Sequence, residues 1–201
     1  MSGAFPISSS KFETMGIKSI QPTLISKSIS GKKLSRTIDA QRWAFTISVI
    51  TSTRATAYGE LMAFIVKQRS GKENFTVVPP EIEDARGSET GSVLVNGVHA
   101  VGDTTIAMDA FAGDGAGRFK AGDFLKFASH TKVYMVVADV TPSSNAATVT
   151  IEPPLIEALA NDSTVTYDDV PFTVALDSTV QTYDLGINNL YDYSFDVSES
   201  F

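Results

Sequence analysis

The stretch AQRWAFTISV, residues Ala40 to Val49, decides the fold that we expect for this chain. From Trp43 onward, large apolar side chains alternate with small or polar ones, so the apolar set lies on one face of an extended backbone. This period of two predicts a half-buried β-strand. Residues Leu190 to Phe201 repeat the pattern, with Tyr, Phe and Val alternating with Asp and Ser. We therefore expect both ends of the chain in one sheet.

Further elements are predicted on either side of the first strand. The extended runs Leu24 to Ile29 and Leu34 to Ile38 flank a short glycine-containing connection, which predicts a hairpin. After the Trp43 strand, hydroxyl residues 51–53 are suited to cap a one-sided helix that ends before Gly71. The apolar stripe of that helix is Ala57, Leu61, Phe64 and Ile65, continued by Gln68. Phe75 to Val78 predicts a short strand before Pro79.

The two ends of the chain differ in charge and in composition. Residues 1–21 are rich in Ser, Gly and Pro, which predicts an extended arm with little strand of its own. Residues 1–54 contain eight Lys or Arg and two acids, whereas residues 168–201 contain seven acids and no base. Contact between these parts, within a sheet or between subunits, would neutralise both. The acidic part would repel phosphate, which disfavours a nucleic-acid surface.

The middle of the chain has a different pattern and predicts a second module. Residues 79–91 are polar and charged, which is typical of a domain boundary. Short apolar runs then recur about every ten residues, which is the signature of a small barrel or sandwich. These runs are Ser92 to Val101, Thr104 to Met108, Asp123 to Ala128, Val133 to Val140 and Ala147 to Ile151. After a polar stretch, Phe172 to Leu176 and Val180 to Leu185 lead back to the last strand.

Composition indicates a folded protein and excludes several kinds of site. Apolar residues make up 43% of the 201 residues and charged residues 19%, which argues against wholesale disorder. The absence of Cys excludes disulfides, thiolate nucleophiles and thiolate metal sites. No apolar run approaches the ~20 residues that span a bilayer, and residues 1–15 do not resemble a secretory signal. We expect no membrane insertion, and a protein that is made in the cytoplasm and stays there unless something else carries it out.

The glycine-rich loop FAGDGAGRFKAGD, residues 111–123, is the first candidate for a ligand site. Gly113, Gly115 and Gly117 are spaced as in phosphate-binding loops, but neither a Lys-Ser/Thr pair nor a helix follows them. Asp109 and Asp114 lack the alternating oxygen ligands of a calcium loop. We interpret the segment as a flexible hairpin loop without a metal or cofactor.

Titratable and aromatic side chains give three further candidates. His99 and His130 have no third metal or triad partner at a telling spacing and are interpreted as strand-edge or turn residues. The carboxylates of Glu81, Glu83 and Asp84 crowd together in the polar crossing, where a solvated face is favoured over acid–base catalysis.

The third candidate is a stacking platform of the kind found in sugar-binding barrels. It would consist of Phe124, Phe127 and Tyr134, interleaved with Lys126 and Lys132. Phe124 and Phe127 differ in parity, so they cannot share one face of a regular strand. At least one of them is expected in the core, and no catalytic residue is predicted anywhere in the chain.

Three segments together resemble the distal tail proteins of long-tailed bacteriophages, most closely those of siphophages of the T-five type. They are AQRWAFTIS, LMAFIVKQRSGKENFTVVPP and FKAGDFLKFASHTKVYMVVADV. The resemblance implies a β-rich body domain with one helix, residues 1–87 and 168–201, interrupted by an inserted OB-fold-like barrel, residues 88–167. It also implies no catalytic, cofactor-binding or metal-binding residues.

Function is likewise expected from the resemblance. It implies a homohexameric ring at the distal end of the tail tube, contacting the tail tube protein, the baseplate hub protein and tail fibres or side proteins. DNA would pass through the lumen without specific binding. Basic and acidic parts of neighbouring subunits meeting head to tail would suit ring closure, so reversing Lys32 and Lys33 to Glu should weaken assembly. The alternatives are a tail tube subunit and a carbohydrate- or host-surface-binding module; an enzyme is disfavoured.

Overall fold

The computed structural model describes residues 3–6, 11–38, 41–80, 82–185 and 190–201. Its content is 42% strand and 8% helix, which confirms a mainly β fold with one α-helix among the described residues. The strands are β1 (Phe12–Ile20), β2 (Thr23–Lys27), β3 (Lys33–Thr37), β4 (Arg42–Thr53), β5 (Phe75–Val77), β6 (Leu94–Val95), β7 (Thr105–Asp109), β8 (Phe124–Phe127), β9 (Val133–Val136), β10 (Ala147–Glu152), β11 (Val165–Thr166), β12 (Phe172–Leu176), β13 (Asp184–Leu185) and β14 (Leu190–Glu199). A π-helical turn (Arg54–Tyr58) leads into α1 (Gly59–Lys67).

Strands from both ends of the chain form one antiparallel sheet, which we call the body sheet. Its order is β1-β4-β14-β12-β5, with β13 paired to β14. In the central ladder, Phe45 pairs with Val197 and Ile47 pairs with Phe195. All four of these side chains are buried, and the residues between them face the more exposed side. The alternation in the sequence therefore predicted both the strands and the buried face correctly.

The helix packs on the buried face of the body sheet. Leu61 and Ile65 are buried in the same apolar cluster as the Trp43 strand. The start of the helix differs from the prediction, because β4 continues to Thr53 and no side-chain hydrogen bond caps the π-helical turn. The hydroxyl residues thus continue the strand instead of capping the helix. Among the described residues, no helix has the length and apolar character needed to cross a membrane.

The prediction of an N-terminal arm with little strand of its own is wrong for residues 12–20. These residues form β1, which runs along β4 with Ile17 opposite Phe45 and Ile20 opposite Arg42. Most side chains of β1 are exposed on both faces, so the sequence shows no alternation there. Strand β1 is therefore held in the sheet by backbone hydrogen bonds to β4 and not by burial of an apolar face.

Strands β2 and β3 form a separate two-stranded ribbon, as predicted for a hairpin. Thr23 pairs with Thr37 and Lys27 with Lys33. The turn is closed by a bond from the Gly31 amide to the Ser28 carbonyl (2.9 Å), and the φ of +81° at Gly31 suits glycine. We call residues 23–37 the hairpin arm.

The middle of the chain forms a nearly closed six-stranded barrel. Its order is β11-β8-β9-β10-β7-β6. A bridge between Leu94 and Thr164, with a 3.0 Å bond from the Val95 amide to the Ser163 carbonyl, brings the two outer strands together. The OB fold is a five-stranded, partly open barrel, and this barrel has a sixth strand, so the OB-fold assignment stays a prediction.

Inside the barrel is a second apolar cluster, separate from that of the body sheet. Ile106, Phe127, Val136 and Val149 are fully buried in it. Strand β11 was not predicted, since it has only two residues and lies in a polar stretch. The glycine-rich loop is not a hairpin loop, because β7 pairs with β6 and β10 while β8 pairs with β9 and β11.

Candidate functional site

The hairpin arm is the most exposed structured part of the described chain. All ten residues of β2 and β3 are exposed, including Leu24 (61%), Ile25 (55%) and Leu34 (56%). A two-stranded hairpin is marginally stable at best without a third strand or an apolar surface to lie on. An arm of this kind is suited to bind another protein surface.

Charge on the hairpin arm is of one sign. The arm contains Lys27, Lys32, Lys33 and Arg36 and no acid. Lys27 and Lys33 are directly opposite each other in the ribbon. Like charges directly opposite each other across two strands are destabilising. The sequence predicted a basic N-terminal part, but the Lys27–Lys33 juxtaposition depends on the register of the ribbon.

A second charged cluster lies where the chain enters and leaves the barrel. Hydrogen bonds join the two passing segments, from the Ala85 amide to the Tyr167 carbonyl (3.0 Å) and from the Val170 amide to the Glu83 carbonyl (3.1 Å). The Asp169 amide donates to Asp84 Oδ1 (3.2 Å). This pairing brings together four carboxylates that we call the acidic crossing: Glu83, Asp84, Asp168 and Asp169.

Partial burial and neighbouring carboxylates raise the pKa of two members of the acidic crossing. Burial raises the pKa of Glu83, and the carboxylates of Asp84 and Asp169 raise it further. The pKa of Asp168 is raised by burial and then by the same two neighbours. Glu83 is only half-exposed, which the interpretation of this group as a solvated face did not predict, whereas Asp84 is exposed as expected. Glu81, the third residue of that predicted group, lies outside the described residues.

A buried ion pair fixes the barrel to the body sheet. Lys132 Nζ donates to the carboxylate of Glu199 and to Gln41 Oε1 (3.0 Å). The same carboxylate accepts the backbone amides of Val133 (2.8 Å) and Trp43 (3.2 Å). Burial lowers the pKa of Lys132 and raises that of Glu199, and the attraction between them opposes both shifts. The sequence carried no signal for this pair, whose members are 67 residues apart.

The candidate aromatic platform, which the parity of its rings already disfavoured, does not exist as a surface. Phe124, Phe127 and Tyr134 are all buried, and so is Lys132. Phe124 belongs to the body cluster, where it packs edge-on against Trp43 at 5.2 Å, while Phe127 belongs to the barrel cluster. The parity argument was correct, since the two rings are on opposite faces of β8. No stacking surface for a sugar or a base is left by this arrangement.

The glycine-rich loop is held in place by its neighbours. The carboxylate of Asp114 accepts the amides of Ser144 (3.0 Å) and Asn145 (2.8 Å), which lowers its pKa. Buried Glu89 accepts the amide of Ala112 (2.8 Å). These carboxylates thus bind backbone of the same chain. In the described part of the chain, no group of three or more His, Asp or Glu side chains converges as a metal site would require.

The two histidines are in different environments. His99 is partly exposed and its Nε2 accepts the amide of Ala107 (3.2 Å), in keeping with a strand-edge position. His130 is buried, and its Nδ1 is 2.9 Å from the hydroxyl of Tyr134. Burial lowers the pKa of His130. His130 is therefore a core residue, which the turn-like sequence around it did not predict.

The family model described as distal tail protein pb9, B domain, matches residues 84–170. The matched segment contains the whole barrel and is less than half of the chain. No curated protein matches the chain. The family match confirms the resemblance to distal tail proteins, whereas the assignment to the T-five type stays a prediction. On this match residues 84–170 are a B domain of the bacteriophage distal tail protein family, which supports a structural role of the chain in a phage tail.

Proposed function

We propose that this protein forms a homohexameric ring at the distal end of the tail tube and connects the tube to the baseplate. Its neighbours would be the tail tube protein on one side and the baseplate hub protein with fibres or side proteins on the other. DNA passes through the lumen without specific binding. The observation that carries the proposal is an unpartnered, basic hairpin arm in a chain with a distal tail B domain.

The two modules have separate roles in this proposal. The body domain, residues 1–87 and 168–201, forms the wall of the ring, and the inserted barrel, residues 88–167, points outward. Two separate apolar clusters support this division. The hydrogen-bonded crossing at Ala85 and Tyr167 supports it too, since both connections to the barrel leave the body at one place. The proposed role is structural and not enzymatic.

The assembly state of the purified protein tests the ring. Native mass spectrometry and negative-stain imaging across a range of concentrations should show closed six-fold rings with a hole wide enough for duplex DNA. Long helical filaments would favour a tail tube subunit instead. A monomer that persists at high concentration would contradict self-assembly into a ring.

Carbohydrate binding by the barrel was suggested by aromatic residues that would form a platform on its surface. Those residues are buried, so the suggestion is no longer supported. The full chain should therefore give no signal on a glycan array. Binding of a defined glycan class would reopen that alternative.

A further inference from the structure

The Lys132–Glu199 pair has a third buried member, the side-chain amide of Gln41. Gln41, Lys132 and Glu199 are 6%, 0% and 1% exposed. Lys132 Nζ donates both to the Glu199 carboxylate and to Gln41 Oε1 (3.0 Å), so one amine contacts a carboxylate and an amide carbonyl at once. The three residues come from separate elements, since Gln41 directly precedes β4, Lys132 directly precedes β9 and Glu199 ends β14.

Hydrogen bonds hold the amide of Gln41 in one orientation. Its Oε1 faces Lys132, because an ammonium group can only donate, and its Nε2 donates to Ser19 Oγ (2.9 Å). The carbonyl carbon Cδ is bonded to the oxygen that the lysine contacts, whereas Nε2 is directed to Ser19. Attack of an amine on an amide needs this placement, with the amine held at the carbonyl and the leaving nitrogen turned away from it.

Burial favours the reactive form of the amine. It lowers the pKa of Lys132 and raises that of Glu199, and both shifts favour transfer of a proton from the ammonium group to the carboxylate. The product of that transfer is a neutral amine, the form of lysine that attacks carbonyl carbons. The fully buried side chain also keeps water from competing with the amine.

We propose that Lys132 and Gln41 form an intramolecular isopeptide bond, with Glu199 as the proton acceptor. Glu199 takes one proton from Lys132 Nζ, and the neutral amine attacks Cδ of Gln41. The bond from Cδ to Nε2 then breaks, and a second proton from Nζ goes to Nε2, which leaves as ammonia. The products are the amide between Nζ and Cδ, ammonia and an uncharged Glu199 carboxyl. No oxidant, reductant or further reactant is needed.

A cleft beside Gln41 gives the ammonia a way out. The cleft has a volume of about 290 Å³, and its lining includes Gln41, Met135 and Ser19, the residue that Nε2 contacts. Ser19 is exposed. The leaving nitrogen is therefore released toward solvent and does not cross an apolar core.

The bond joins the body to the barrel covalently, between residues 91 positions apart in the chain. It also removes a buried ion pair, whose charges are costly to keep from water. The reaction occurs once in each chain and acts on no other molecule, so it is a maturation step of a structural protein and does not depend on the ring. Chains that have not reacted retain the ion pair, and they are the ones in which its contribution to stability is measured.

The mass of the purified full chain tests the bond. Under denaturing conditions, the intact mass should be about 17 Da below that of the sequence, the mass of one ammonia, either at once or after prolonged incubation of the folded protein. Proteolysis should then yield a branched peptide that contains both Gln41 and Lys132. The branched peptide is needed because ring closure at Asn96-Gly97 would also release ammonia, but without joining two segments.

Three variants identify the reacting groups. Lys132→Arg keeps a positive charge beside Glu199 but has no amine that can lose its proton, so it should keep its full mass. Glu199→Gln lacks the proton acceptor and should react at least about a hundredfold more slowly. Lys126→Arg is the matched control. The Lys126 amine is also partly buried, but it contacts the Pro171 carbonyl (3.0 Å) and the Thr173 hydroxyl (3.4 Å) and no side-chain amide. This control should lose ammonia like the parent protein.

Every outcome bears on the bond, whatever the assembly state of the protein. A parent protein that keeps its full mass after prolonged incubation, or that loses ammonia without a branched peptide, would overturn it. A Glu199→Gln protein that reacts as fast as the parent would overturn the role of Glu199. A branched peptide found in the parent and in Lys126→Arg, and absent from Lys132→Arg, supports the bond. If a variant does not fold by circular dichroism, the mass and the peptide of the parent protein decide alone.

Discussion

At the scale of single residues, the Lys132–Glu199 pair shows how a buried charge fixes two modules together. Lys132→Met leaves the carboxylate of Glu199 buried without its cation, which typically costs about 3–5 kcal/mol of unfolding free energy. Adding Glu199→Gln should recover a large part of that loss, because a neutral amide is less costly to bury. Urea denaturation at pH 7 measures both values, with exposed Lys120→Met as the control. A double variant no more stable than the single one would contradict this account.

His130 should make the stability of the fold depend on pH. Burial holds its folded pKa below the usual 6.5, and the Glu157 carboxylate and the bond to the Ala158 carbonyl oppose the shift only partly. As pH falls below about 6.5, the unfolded chain binds a proton that the folded protein does not, so stability is lost as pH falls through the folded pKa. The loss is at most about 1.4 kcal/mol per pH unit. Unfolding free energies between pH 7.5 and 5 should fall less for His130→Asn than for the parent protein; equal slopes would exclude this role.

At the scale of elements, the sequence predicted those strands that bury one face. Strands β4 and β14 alternate because Phe45 and Phe195 face the core while Thr46 and Asp196 do not. The same reasoning assigned Phe124 and Phe127 to opposite faces of β8. Strand β1 escaped prediction because it is exposed on both faces, so no periodicity could identify it.

The candidate surfaces were predictable only in part. Composition already showed a basic N-terminal part and an acidic C-terminal part. It could not show the acidic crossing, because Asp84 and Asp169 meet across 85 residues of intervening chain. Nor could it show that Glu199 is buried with Lys132, since the two are 67 residues apart in the chain. Contacts between an inserted domain and the domain that contains it leave no local pattern in the sequence.

The segment leading into the barrel tolerates no added atom at Gly87. A Cβ there would collide with the Arg118 carbonyl oxygen, so Gly87→Ala must displace one of two paired backbones. We expect a loss of about 1–3 kcal/mol. Gly102→Ala is the matched control: its Cβ would meet open space, and only its φ of +94° is unfavourable, at a cost of about 1 kcal/mol.

Hydrogen exchange distinguishes these two glycine variants further. The amides of Ser88 and Glu89 donate to the carbonyls of Gly117 and Arg118 (3.1 and 3.2 Å). Both amides should exchange faster in Gly87→Ala and unchanged in Gly102→Ala. Unchanged exchange in both variants would mean that the Arg118 backbone moves aside without cost.

At the scale of the whole molecule, the barrel should be removable without loss of the body fold. The backbones of residues 85 and 167 are hydrogen-bonded, so a short Gly-Ser linker can replace residues 86–166. Glu199→Gln is included, because the deletion also removes Lys132. We expect cooperative unfolding and retained ring assembly, at some cost in stability since Phe124 no longer covers Trp43. A deletion protein without cooperative unfolding would contradict the proposed division into domains.

The position of β14 within the body sheet has a consequence for folding during synthesis. It is the last strand in chain order, yet it lies between β4 and β12 in the sheet. All strands of the barrel are made before it, so the barrel can fold beside the ribosome while the body is still incomplete. Until β14 emerges, the edge of β4 that will pair with it has unpaired backbone groups that other chains can bind. The risk of misassembly should therefore grow with every pause in translation between residues 54 and 190.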